Sequence, residues 1–179
     1  MRLWRSFLFA FLLLLITESA SSRRLLGQQT CNPGAACRTK IAIGEGYVTG
    51  IETVEAEITV LEIVRGEKAW NLVKAADSSN KEPGMGMEYI AARVKFVFGA
   101  KGTSGELTYG IRDEQFASVS SSGRQYERPS VAPPKPELKG RLYPGDSLEG
   151  WVVLLVSIDD PKPLMSFGNN YNRVWLKLY

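Results

Sequence analysis

Apolar and polar residues alternate with a period of two through most of this chain, and the helical period is rare. Val54, Ala56, Ile58 and Val60 take one side of a stretch whose other side is Glu55, Glu57, Thr59 and Leu61, the pattern of a half-buried strand. Arg65, Gly66 and Glu67 end it. Residues 69–76 (AWNLVKAA) fit either a strand or a helical turn, and the polar stretch 77–86 carries turn residues. The cleanest strand follows, with Ile90, Ala92, Val94, Phe96 and Phe98 on one face and Tyr89, Ala91, Arg93, Lys95 and Val97 on the other. Residues 99–102 turn it. Residues 106–111 and 115–120 read as shorter strands around a tip at Arg112, Asp113 and Glu114. Residues 129–144 hold five of the nine prolines, which excludes a central strand and predicts a long surface loop. Residues 148–156 (LEGWVVLLV) are apolar on both faces, as a central strand is. Residues 164–167 and 174–179 close the pattern after a turn at 159–163.

Seven to nine mostly antiparallel strands over about 130 residues predict an all-β fold, a β-sandwich first and a closed barrel second. The core expected between the sheets is Val94, Phe96, Val152, Leu154 and Leu176. The pattern assigns residues 50–179 to the sandwich and residues 23–49 to an N-terminal extension.

The first 22 residues depart from this pattern. Arg2 and Arg5 precede an unbroken apolar run of ten residues, 7–16, and small residues follow it at Ser19, Ala20, Ser21 and Ser22. That is the build of a cleaved secretory signal. The run is too short for a membrane anchor, since a span needs roughly 20 residues. No stable membrane span is therefore expected after cleavage, and the address is secreted or extracellular, with the cell envelope as one location. A lipid anchor at Cys31 is rejected because Gln28, Gln29 and Thr30 precede it. Cys31 and Cys37 enclose a turn-forming pentapeptide and predict one small disulfide, in preference to two free thiols. It is expected to pin the extension without stapling the core.

Charge and chemistry narrow the function. The net charge is +3, from 22 lysines and arginines against 19 acids, too balanced for a nucleic-acid footprint. The absence of histidine removes Ser-His-Asp and Cys-His relays and His-ligated metal sites. Asp113 with Glu114, and Asp159 with Asp160, are the carboxylate candidates. Each pair is adjacent in a turn, whereas a glycosidase needs carboxyls about 5–10 Å apart across a cleft. Met85 and Met87 offer two thioethers to Cu(I), but packing a loop is the simpler role. No catalytic residue, metal or cofactor is expected.

Four stretches together carry a family likeness: 60–70 (VLEIVRGEKAW), 80–90 (NKEPGMGMEYI), 142–153 (LYPGDSLEGWVV) and 174–178 (VWLKL). Their order and spacing resemble a bacterial exported domain family of unknown function, often mislabelled telomeric repeat-binding factor 2. That family is similar in turn to the secreted mycobacterial immunoprotective antigen. The resemblance spans residues 50–179 and implies export and an immunoglobulin-like sandwich. It brings no catalytic residues. Members are commonly lipoproteins, and this chain departs from them in lacking the lipobox.

The expected function is a secreted, non-catalytic binding or interaction module whose partner is an extracellular protein or glycan. The alternative is a carbohydrate- or small-ligand-binding domain using an aromatic loop surface. Among the aromatics Trp70, Trp151, Trp175, Tyr126, Tyr143 and Tyr171, the apolar surroundings of Trp151 and Trp175 place these two in the core. Trp70 and Tyr143, beside turns, are the candidate exposed contacts. The other candidate is the basic stretch 124–141, where Arg124, Arg128, Lys135, Lys139 and Arg141 outnumber Glu127 and Glu137.

Overall fold

In the computed structural model, residues 29–43, 52–99, 107–169 and 172–179 are described; the expected signal at 1–22 lies outside them. The strand Glu52–Arg65 (β3) pairs antiparallel with Cys37–Ile43 (β2) and with Met87–Phe98 (β4), and β4 pairs with Ser147–Ser157 (β8). Their order across the sheet is β2-β3-β4-β8. The second sheet runs β1-β10-β9-β6, built from Thr30–Cys31 (β1), Val174–Lys177 (β10), Leu164–Phe167 (β9) and Phe116–Val119 (β6). In it β1 lies parallel to β10, and the other pairs are antiparallel. Tyr109–Arg112 (β5) and Lys139–Leu142 (β7) form a separate two-stranded ribbon.

The two four-stranded sheets enclose one apolar core. Its first-sheet side is Ile41, Val54, Ala56, Ile58, Val60, Ile90, Val94, Phe96 and Phe98, with Val152, Leu154 and Val156. Phe116, Met165, Phe167, Val174 and Leu176 close it from the second sheet. All five core positions read from the sequence are here, and Lys95 is on the outer face. The architecture is a β-sandwich.

Several expectations need correction. Residues 30–43 are part of the sandwich, not an extension before it: they supply β1 and β2, and Cys31 and Cys37 are buried in the core cluster. The disulfide they form, with a Cα–Cα separation of 5.7 Å, therefore joins the two sheets at the core. The segments on either side of the 112–114 tip do not pair as a hairpin. β5 pairs with β7 and β6 with β9, so the tip hands the chain from one sheet to another. β8 is an edge strand, not a central one. Its second apolar face (Trp151, Val153, Leu155) lies under the helix Glu67–Ala76 (α1) and Val131 of the proline-rich stretch.

α1 resolves the ambiguity at 69–76 in favour of helix. Gly66 takes φ 66°, turning the chain out of β3, and Ala69 and Val73, four residues apart, are buried. They pack with Tyr89, Ala91, Trp151 and Val153 in a second, smaller cluster on the outer face of the first sheet. Part of that face is thus covered, and the part with Arg93, Lys95 and Glu149 keeps polar groups at its surface.

Candidate functional site

The basic stretch 124–141 is fastened to the fold along its length. Residues 124–126 continue beside β6: the Ser120 amide donates to the Arg124 carbonyl at 2.8 Å and the Tyr126 amide to the Ser118 carbonyl at 3.0 Å. Arg128 donates from one guanidinium nitrogen to the Asp113 and Phe116 carbonyls, both at 2.9 Å. Ala132 is held by Asn80, whose Oδ1 accepts its amide at 2.8 Å and whose Nδ2 donates to its carbonyl at 3.0 Å. The same Nδ2 donates to the Val73 carbonyl at 2.7 Å, so one amide side chain caps α1 and anchors the stretch. The Trp151 amide donates to the Pro136 carbonyl at 2.9 Å, which covers the free edge of β8.

Leu138 is fully buried between the sheets, and the Leu138 backbone crosses so close to Gly150 that a side-chain carbon there would collide with it. Lys135 pairs with Glu137. Lys139 and Arg141 are exposed on β7, and Arg124 is exposed beyond β6. The five cations are therefore not equivalent: Arg128 holds backbone, Lys135 is paired, and three face solvent.

Asp160 is the other fastening residue; a turn aspartate is expected to cap local backbone, and what sequence reading missed is its partners Ser121 and Tyr126, far along the chain. It is buried, with Oδ2 accepting from the Tyr126 hydroxyl at 2.9 Å and the Ser121 amide at 3.1 Å, and Oδ1 accepting from the Lys162 amide at 3.2 Å. Burial pushes this carboxyl up, but the three donors outweigh burial and hold it below the usual carboxylate value. Tyr126 is thus committed to the core side of the stretch. Asp113 goes the other way: burial and the neighbouring Glu114 charge raise it, against the Arg128 charge. Asp113 and Glu114 line a polar depression of about 520 Å³ with Asp77, Asn80 and Arg128.

A different kind of concavity lies at the start of α1. It holds about 410 Å³ and is walled by Gly66, Glu67, Trp70, Glu82, Pro83, Met87, Glu88 and Ile158. Trp70 is half-buried, tilted against Tyr89 at 6.1 Å, with the Lys74 ammonium 5.9 Å from its ring centre. Burial raises the Tyr89 phenol, which donates to the Lys81 carbonyl at 2.9 Å and steadies the loop carrying Glu82 and Pro83. The groove's wall residue Ile158 is 56% exposed, and Met85, in the turn that precedes Met87, is 104% exposed. Met85 thus packs against nothing, contrary to the expected loop-packing role. Glu88 is paired with Arg65 at 2.6 Å, and Arg65 also donates to the Asp160 carbonyl at 2.6 Å. Among the described residues Glu67 and Glu82 have no ion-pair partner.

The structure therefore separates the two exposed-aromatic candidates. Trp70 forms a wall of this groove; Tyr143, 54% exposed in the β7–β8 turn, does not. Trp151 and Trp175 are buried as expected, although Trp151 belongs to the cluster under α1, not to the space between the sheets. Tyr171 lies outside the described residues.

Two sheets over one core, with an outer face roofed by a helix and a pinned loop, define a β-sandwich protein with surface grooves. No protein-family model matches the chain, and no curated protein matches it. Among solved structures it is similar to MPT63, a secreted protein from Mycobacterium tuberculosis, with a TM-score of 0.49 and 14% identity over 84% of this chain and 95% of that one.

Proposed function

We propose that the chain is an exported, non-catalytic binding module acting at the cell envelope or beyond it, and that the Trp70 groove is its recognition surface. The observation carrying this reading is the groove itself, a depression with apolar walls at Trp70, Pro83, Met87 and exposed Ile158 and carboxylates at Glu67, Glu82 and Glu88. Export is supported by the apolar run at 7–16 and by the oxidised Cys31–Cys37 pair, since disulfides persist in oxidising compartments. A non-catalytic role is supported by the placement of the carboxylates: Asp160 is consumed by three structural donors, and Asp113 and Glu114 sit side by side in one turn.

The second reading, a carbohydrate-binding surface, is favoured by the one tryptophan wall. Peptide and glycan arrays probed with the secreted chain test both. Binding to peptides that is lost on Ile158→Asp supports the proposal, and glycan binding lost on the same substitution supports the second reading. Binding indifferent to Ile158→Asp overturns the choice of groove. Export has its own check. Intact mass of the secreted product should begin at Ser22 or Arg23, two hydrogens lighter than the reduced form, whereas a product retaining Met1 in the membrane fraction contradicts it.

A further inference from the structure

Resting on that reading, we propose that the groove takes an extended peptide segment in which an arginine or lysine is flanked by apolar residues. The walls are of two kinds. Trp70, Pro83, Met87 and Ile158 are apolar, and Glu67, Glu82 and Glu88 bring carboxylates to the same depression. Only Glu88 is neutralised, by Arg65 at 2.6 Å; Glu67 and Glu82 have no ion-pair partner among the described residues. The start of α1 adds roughly half a positive charge, too little to reverse the sign of two free carboxylates. Lys74, 5.9 Å from the Trp70 ring, offsets part of that charge and leaves the groove weakly negative in a chain whose net charge is positive.

A long cationic side chain satisfies both kinds of wall at once. Its methylene stem covers apolar surface while its charged head stays at the wet rim. The guanidinium of arginine suits a carboxylate better than an ammonium does, because its planar fork donates two parallel hydrogen bonds. The flanking apolar residues of the segment then meet Ile158, a groove wall that is 56% exposed. An anionic segment, a phosphorylated peptide or a polyanion would face Glu67 and Glu82 unpaired, a like-charge contact that disfavours binding. Because the carboxylates are solvated at the rim, the charge contribution is modest and sensitive to salt.

The test uses the secreted chain and hexapeptide libraries with leucine, isoleucine, valine or phenylalanine flanking one fixed central residue: arginine, its neutral isostere citrulline, or glutamate. The arginine set should bind about fivefold more tightly than the citrulline set, with the advantage shrinking between about 50 and 500 mM salt. Glu67→Gln with Glu82→Gln should erase that advantage and leave citrulline binding unchanged. Ile158→Asp should weaken every set; it is preferred to Trp70→Ala because Trp70 also packs on Tyr89. Equal binding of arginine and citrulline overturns the charge inference while leaving the groove reading intact. Binding of no set, or binding unaffected by Ile158→Asp, overturns both. A preference for glutamate overturns the charge inference in the opposite sense.

Discussion

The basic stretch 124–141 and the Trp70 groove are both surface features bordering α1, yet they differ in what the fold has already done with their residues. The stretch has more charge and more proline, and it reads as the recognition loop. In the structure its backbone is tied to β6, to Asn80 and to β8, with Leu138 sunk into the core. The groove has fewer charges, but Glu67 and Glu82 lack ion partners among the described residues and Met85 and Ile158 are open. Charge density in a sequence reports what a residue type can do. Free valence after folding reports what is left for a partner.

The sharpest way to break this comparison is to loosen the stretch. Leu138→Ala should cost about 2–5 kcal/mol, as for other fully buried leucines, and denaturant unfolding will measure it. A cost below about 0.5 kcal/mol would mean that the stretch is a loose connector after all.

A smaller effect should come from acid. The Asp160 carboxyl is held below its usual value in the fold, so its ionised form contributes stability above about pH 4 that fades as pH falls below the unfolded value. Asp113, raised by burial and Glu114, acts with the opposite sign and gains stability on protonation in the same range. Asp160→Asn should therefore flatten the acid limb of a stability-versus-pH profile, and Tyr126→Phe should flatten it less. An unchanged profile in Asp160→Asn would contradict the pin.

The smallest effect is expected at the exposed cations, whether paired, as Lys135 is, or facing solvent. Lys135→Ala, Lys139→Ala and Arg141→Ala should each stay within about 0.5 kcal/mol, since an exposed pair such as Lys135 with Glu137 contributes little. Arg128→Ala should cost more, about 1 kcal/mol, because its guanidinium serves two carbonyls. A uniform response across the four would erase the distinction between structural and free cations.

Much of the fold was legible because period-two alternation survives wherever a strand has one wet face. β3 and β4 are of that kind, and their core faces are those read from the sequence. β8 misled because burial on both sides has two causes, a central position or a cover over an edge strand, and its apolar run is the same in either case. Residues 30–43 misled because β1 has only two residues and the core face of β2 begins with Cys37 and Thr39, so its apolar alternation is carried by Ile41 and Ile43 alone. Leu61 is exposed as alternation places it, and what alternation cannot show is the bulge between Val60 and Glu62 that shifts the register beyond it.

The candidate site was legible only at Trp70. The groove brings together Glu67, Glu82, Met87 and Ile158 from four places along the chain, and only tertiary packing makes them neighbours. Asn80 and Asp160 carry ordinary turn chemistry in sequence, and their anchoring roles depend on partners 52 and 34 residues away.

The most direct test of the contrast is one titration of the arginine-centred peptide library against three forms of the secreted chain: wild type, Lys135→Ala/Lys139→Ala/Arg141→Ala, and Glu67→Gln/Glu82→Gln. The account predicts that the first two bind alike and that the third falls about fivefold to the level of the citrulline set. Loss of binding in the lysine and arginine variant, with the glutamine variant unchanged, would contradict it.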